Sequence, residues 1–310
     1  MADGTKPRVA TPPGGFGRIP LGSALPFLWR RMRASARPRP GAAPRVRCAP
    51  EALQASPALT WIGHATFYVR QDDVAFLVDP VWSERASPLR FAGPRRLVPP
   101  AVALDALPRV DFAILSHDHY DHTDLPTVRA LARRGVPFVT PRGVGELVRG
   151  VGGRVAAELS WWEEAVVAGA TVTCVPARHF SGRSLTDRNR RLWAGFVVRT
   201  SSRRFYHAGD TALFDGFAEI GRRLAPIDVA CLPIGAYLPR EMMGPVHLDP
   251  DEAVEAALAV GGRRTVGMHF GTFDLADEPL DEPPARFLAA ARRRGLAGAR
   301  VLAVGETASF

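Results

Sequence analysis

From Leu59 onward the chain alternates short apolar runs with turn residues and stretches of helical periodicity. Leu59–Ile62, Thr66–Val69 and Val74–Val78 predict three strands joined by tight turns at Gly63-His64 and Gln71-Asp72-Asp73. Phe112–Leu115, Val136–Thr140, Thr171–Val175, Val229–Ile234, Arg264–Met268 and Arg300–Val304 predict further strands, and Trp193–Arg199 with Arg204–Ala208 predict a hairpin. Helices are expected over Asp124–Arg134, Val144–Arg149 and Pro284–Arg294. Another starts at Asp249-Pro250-Asp251-Glu252, which combines a capping box with proline at the first helical position. Strands come first and then alternate with helices, which predicts a layered α/β fold whose polar residues collect at strand ends. Residues 82–108 form a long proline- and glycine-rich connection. With Trp82, Arg85, Arg90, Arg95 and Arg96 it is a candidate substrate-contacting loop.

Residues 1–50 lack this pattern and are rich in Pro, Gly, Ala and Arg, so they are expected to form a mostly irregular arm ahead of a single domain at 51–310. The arm holds ten basic residues and one acid, Asp3, against 40 basic and 31 acidic residues in the whole chain, so it accounts for the entire net charge of +9. A basic arm suits an anionic membrane surface, and Ile19–Met32, which mixes Leu, Phe and Trp with arginines, is a candidate interfacial segment. A body without net charge argues against a nucleic-acid partner. Cys48, Cys174 and Cys231 are far apart and odd in number, which does not suggest a disulfide frame. Leu25–Trp29 is too short for an export signal and is followed by its basic residues, and no apolar run approaches a membrane span. The expectation is a cytoplasmic protein, peripheral on the inner membrane face through its arm; a homodimer is allowed.

The chemistry concentrates in Ser116-His117-Asp118-His119-Tyr120-Asp121-His122, directly after the Phe112–Leu115 run. Alternation at a strand end sends His117 and His119 to one side, and the turn through Tyr120 brings Asp121 and His122 to an adjacent point. His179, Asp210 and His269 also follow predicted strands, so seven nitrogen and carboxylate donors converge on one sheet edge. That is too many for one tetrahedral zinc and suits two cations with a shared bridge. His247, in the loop before the capped helix, is a candidate to hydrogen-bond a substrate phosphate or a leaving oxygen. His64, after a strand and a glycine, is a candidate to face the site from behind the metal ligands. His207, inside a strand, reads as a core residue, and Trp161 and Trp162 as a buried corner. Asp118 and Tyr120 alternate with the candidate ligands and read as structural.

These residues resemble the metallo-β-lactamase superfamily and, within it, the N-acyl-phosphatidylethanolamine-hydrolysing phospholipase D group. The resemblance runs from about Leu59 to the C-terminus. It is carried by the histidine cluster with Trp61-Ile62-Gly63-His64-Ala65-Thr66, Asp79-Pro80-Val81-Trp82-Ser83-Glu84, Ala208-Gly209-Asp210-Thr211, His247-Leu248-Asp249-Pro250 and His269-Phe270-Gly271-Thr272-Phe273. It implies a four-layer αββα sandwich and two zinc ions, with manganese as the alternative. His117, His119 and His179 would hold the first ion, Asp121, His122 and His269 the second, and Asp210 would bridge them. Asp121, Asp210 and His247 would carry the catalysis, with His247 and His64 facing substrate. The implied reaction is hydrolysis of N-acyl phosphatidylethanolamine to N-acylethanolamine and phosphatidate by a metal-bridging hydroxide. Phe180-Ser181-Gly182-Arg183, after His179, departs from the animal enzymes' pattern. Zinc β-lactamases generally carry cysteine at the position of Asp210, so a β-lactamase role is not expected. The rival readings on this fold are a lactonase or sugar-phosphate hydrolase, a nuclease, and a non-catalytic metal or lipid sensor.

Overall fold

The computed structural model describes residues 41–184 and 186–310. Most of the arm, including the candidate interfacial segment Ile19–Met32, lies outside the described residues.

Two seven-stranded sheets face each other. The first contains β1 (Ala58–Gly63), β2 (Thr66–Gln71), β3 (Val74–Val78), β4 (Phe112–Ile114), β5 (Phe138–Pro141) and β6 (Val155–Leu159) in sequence order, with β14 (Thr307–Ser309) beside β1. The second contains β7 (Glu164–Val167), β8 (Ala170–Val175), β9 (Gly195–Arg199), β10 (Arg204–His207), β11 (Ile227–Pro233), β12 (Gly262–Met268) and β13 (Ala299–Val301). In each sheet one half is antiparallel and the other parallel, the change falling at β3–β4 and at β10–β11. β3 and β11 are buried along their whole length, as strands inside covered sheets should be, although β11 carries Asp228 near its start. Phe76 of β3 meets Phe205 of β10 edge to face at 5.5 Å, and Gln71 donates to the Val198 carbonyl at 3.1 Å, so the facing sheets share one core.

Helices cover the outer faces: α1 (Leu125–Arg133) and α2 (Gly145–Gly150) lie on the first sheet's side, and α3 (Gly216–Leu224), α5 (Pro250–Val260) and α6 (Glu282–Arg294) on the second's. The short helix α4 (Arg240–Met243) precedes His247. The result is the four-layer αββα sandwich. The capping box of α5 is present in full, with the Asp249 side chain accepting from the Asp251 and Glu252 amides, and the helix ends at Gly261 in the left-handed region.

The body takes in part of the arm. Ala43 is buried and its N–H donates to the Gly271 carbonyl at 2.8 Å, while Val46 N–H donates to Val304 O at 2.9 Å. Gly271 sits at φ +59, where a Cβ would fall 2.6 Å from the Ala43 nitrogen, so this close approach requires glycine. The 82–108 connection is anchored at two side chains. Trp82 spends its indole N–H on Val102 O at 2.9 Å, and the Arg96 guanidinium donates to the carbonyls of Val81 and Ser83. Both side chains hold the loop down.

Candidate metal centre

The C-terminal ends of β4, β8, β10 and β12 meet at one edge of the sandwich. β4 delivers Ser116 to His122, β8 delivers His179, β10 delivers Asp210 and β12 delivers His269. His117, His119, His179 and Asp210 each put one donor atom within 4.8 Å of the others. His64, Asp121, His122 and His269 form a second such group, and Asp210, His247 and His269 a third. The Asp210 carboxylate lies between the first two groups. Its Oδ2 is 3.9 Å from His117 Nε2, 3.8 Å from His179 Nε2 and 3.3 Å from His122 Nε2, and its Oδ1 is 3.1 Å from His269 Nε2.

Hydrogen bonds behind the rings fix which nitrogen faces inward. His122 Nδ1 donates to Asp79 Oδ2 at 2.7 Å, and His179 Nδ1 donates to Val246 O at 2.9 Å. The Ser116 hydroxyl donates to Asp79 Oδ2 at 2.7 Å, which leaves its oxygen to accept from His117 Nδ1 at 2.9 Å. Each of these imidazoles therefore turns Nε2 toward the centre with its lone pair, the tautomer a cation requires. His119 is reversed: its Nδ1 lies 3.0 Å from His117 Nε2 and 3.2 Å from His179 Nε2.

Several inward atoms are buried and lack a hydrogen-bond partner, among them His122 Nε2, His269 Nε2 and Asp210 Oδ1. Buried polar groups are rarely left so, because desolvation goes unrepaid. Imidazole nitrogens facing each other and two carboxylates at these separations are the donor set of a divalent-cation site. The residues present fit two adjoining cations.

The electrostatics agree. Burial pushes the imidazolium forms of His64 and His179 down to about 3 and holds His117 well below its usual value. Burial also acts on His122 and His269, but Asp210 and Asp121 outweigh it; His122 is raised well above the ordinary range and His269 to about 9. Burial opposes ionisation of Asp121 and Asp210, yet the facing imidazoles, His122 foremost, keep both carboxyls well below the usual carboxylate range. The two anionic carboxylates thus draw positive charge into the centre, which the His122 and His269 rings or bound cations can supply.

The remaining candidates fall around this centre. His64 Nε2 lies 3.1 Å from Asp121 Oδ2, at hydrogen-bond distance, and its Nδ1 has no partner. His247 is buried with its ring 5.0 Å from His179 and 5.6 Å from His269, and its Nδ1 is also unpartnered. His207 is a satisfied core residue: Nε2 donates to Ala65 O at 3.0 Å and Nδ1 accepts from the Gly209 amide. Asp118 accepts from Gly182 N–H and Arg191, and Tyr120 donates to Arg183 O, so both tie the histidine loop to the 180–191 loop. Trp161 donates to Trp193 O, and Trp162 lies under Arg223 at 4.1 Å; both pack against the core.

Asp79 was not singled out by sequence reasoning. It is fully buried and accepts three hydrogen bonds at 2.7 Å, from the Ser116 amide, the Ser116 hydroxyl and His122 Nδ1. The available signal was an acid closing a strand one residue before a proline, which also reads as a strand terminator.

A model of the β-lactamase superfamily domain matches residues 75–270. An N-acyl-phosphatidylethanolamine-hydrolyzing phospholipase D of Caenorhabditis elegans is 44% identical over 240 residues, covering 72% of this chain and 67% of that protein. An uncharacterized protein of Mycobacterium tuberculosis is 47% identical over 76% of this chain and 64% of its own length, so the chain spans about two thirds of these relatives. Among solved structures, a metallo hydrolase from Ignicoccus hospitalis superposes with a TM-score of 0.64 at 25% identity, over 82% of this chain and 97% of that one. With sheet order, donor set and sequence in agreement, the chain belongs to the metallo-β-lactamase superfamily and, within it, to the group of the N-acyl-phosphatidylethanolamine-hydrolysing phospholipase D-like proteins.

Proposed function

We propose that the chain is a metal-dependent phosphodiesterase that cleaves N-acyl phosphatidylethanolamine into N-acylethanolamine and phosphatidate. The observation that carries this reading is the pair of donor groups meeting at Asp210. In this reading His117, His119 and His179 hold one cation, Asp121, His122 and His269 hold the second, and Asp210 bridges them. Zinc suits the nitrogen-rich set, and manganese is the alternative. When bound, such cations supply Lewis acidity toward phosphoryl oxygens and a water-derived nucleophile at neutral pH.

The chain's own residues do the rest. Asp79 and Ser116 orient His122 and His117, and the Val246 carbonyl orients His179. His64 steadies the Asp121 carboxylate through Nε2. His247, with Nδ1 unpartnered beside the centre, is available to hydrogen-bond a phosphoryl oxygen or the departing alkoxide. The phospholipid substrate is supported by the nematode relative's activity, and the peripheral membrane location by the basic arm. No helix among the described residues is long and apolar enough to cross a membrane.

The test is turnover in oxygen-18 water. Attack at phosphorus labels phosphatidate and leaves N-acylethanolamine unlabelled. Label in a free fatty acid would mean acyl hydrolysis and would end the assignment. A sugar lactone and single-stranded DNA assayed in parallel separate the lactonase and nuclease readings.

A further inference from the structure

One loop at the rim of the centre exposes apolar side chains that packing does not explain. Phe91 is 81% exposed and Leu89 47%, the former the most exposed large hydrophobic residue among the described residues. Exposed Arg90 lies between them and exposed Arg95 follows. The loop has a fixed frame. Arg85 and Arg95 form an antiparallel bridge, Ala86 N–H donates to Pro94 O at 3.1 Å, and Arg96 N–H donates to Glu84 O at 2.7 Å. The Arg85 guanidinium donates to Gly93 O at 2.6 Å. Gly93, at φ +93, passes so close to Ser87 that a Cβ would lie 2.6 Å from the serine Cβ. The tip is therefore held out by its own hydrogen bonds.

The base of this loop reaches the metal centre. Ala86 is buried with Val81 and Phe273, and Tyr120 of the histidine loop packs on them. Leu97 N–H donates to Thr272 O at 2.8 Å, and the Phe273 ring stands 5.1 Å from the His64 ring. We propose that the tip Leu89-Arg90-Phe91 is a docking loop for an anionic phospholipid bilayer. Leu89 and Phe91 enter the acyl boundary while Arg90 and Arg95 meet headgroup phosphates. Two apolar side chains on a convex tip are too small an area for a stable protein interface, which needs about 1,000 Å². They suit a fluid apolar layer that closes around them. The docking loop lies outside the basic arm in sequence, and its purpose, bringing lipid to the rim, rests on the phospholipid reading above.

Flotation of the full-length protein with phosphatidylglycerol–phosphatidylcholine vesicles tests it without turnover. Leu89→Ser with Phe91→Ser should lower partitioning about tenfold or more. Arg90→Gln with Arg95→Gln should lower it several-fold in low salt and little in high salt. In the Phe91→Trp variant, vesicles should shift the added emission to the blue, and brominated acyl chains should quench it. Parent-like flotation of the serine variant, or no vesicle response from the tryptophan, overturns the proposal, as would a parent that ignores vesicles; a tip built for a protein partner gives those results. A parent that floats yet hydrolyses no phospholipid overturns the phosphodiesterase reading and leaves the docking loop standing.

Discussion

Asp79→Asn tests how the centre is built with a change of a single atom. In the native site Oδ1 accepts from the Ser116 amide, and Oδ2 accepts from both the Ser116 hydroxyl and His122 Nδ1, all at 2.7 Å. An asparagine offers one acceptor oxygen and one amide group that only donates. If the oxygen keeps the Ser116 amide, the NH2 meets His122 Nδ1–H. If the side chain flips, the NH2 meets the Ser116 N–H. Either orientation sets donor against donor in a fully buried place, at a cost of about 1–3 kcal/mol. His122 escapes by moving its proton to Nε2 or by rotating, and both actions withdraw the inward lone pair. Loss of a carboxylate behind a metal-ligating histidine lowers metal affinity roughly 10- to 100-fold, or about 1.4–2.8 kcal/mol. The two estimates agree. Competition with a chromophoric chelator reads the zinc affinity of parent and variant directly, and circular dichroism checks that the fold persists. A folded variant with zinc affinity within twofold of the parent would refute the reasoning, because Asp79 would then not control the tautomer of His122.

Elemental analysis of gently purified protein should find about two divalent ions per chain, and chelation should lower its melting temperature. Asp210→Asn keeps the size but removes the charge shared between the donor groups, so activity should fall by orders of magnitude with the fold retained; near-normal turnover would remove Asp210 from the bridge. Deleting residues 1–40, which spares the Ala43 and Val46 hydrogen bonds to the body, should weaken liposome binding in a salt-dependent way, and unchanged binding would make the arm a passive tail. Ala168→Asn, in the exposed β7–β8 turn where Ala168 has φ 50, should stabilise the protein by about 0.5–1 kcal/mol, because asparagine tolerates the left-handed region that alanine resists; a lower melting temperature would contradict this.

The strands that frame the centre were legible because the halves nearest it are buried and mostly apolar, and the residues that follow them carry the donors. β6 and β7 were not, since Val155–Leu159 and Glu164–Val167 are edge strands, half exposed and rich in Ala and Glu. Helix α3 escaped although its apolar residues share one face, because glycines at 216 and 221 lower its helix propensity; Gly221 is required by the packing, since a Cβ there would lie 2.6 Å from the Ala259 carbonyl oxygen. The terminal strand was expected over Arg300–Val304, but pairing to β12 stops at Val301, and Thr307–Ser309 crosses to pair with β1. Asp79 shows the limit most clearly. Its value comes from β3 and β4 lying parallel, with Val78 opposite Ile114, which brings the residues after both strands together. Nothing local in the sequence encodes that pairing.

Three residues at these strand ends also hold left-handed backbone. His64, Asp79 and His269 have φ values of 56, 44 and 65, in a region that costs an L-residue about 1–2 kcal/mol. Such conformations persist where neighbours over-determine them. His64 is fixed at both peptide groups: its N–H donates to Thr272 Oγ1 at 2.8 Å, and its carbonyl accepts from Trp61 Nε1 at 2.8 Å and His269 N–H at 3.1 Å. Asp79 has its carboxylate held by Ser116 and His122, and its carbonyl by Thr66 Oγ1 at 2.6 Å. The chain turns at each of these residues, and the side chains of His64, Asp79 and His269 meet there the residues that follow β4, β8 and β10. The hydrogen bonds that offset the strain therefore also aim the donors. The fold's own hydrogen bonds thus hold these rings and carboxylates, so part of the ordering that a cation site needs is supplied by folding. The Thr272 and Trp61 bonds accordingly belong to the construction of the centre although neither side chain is among its donors.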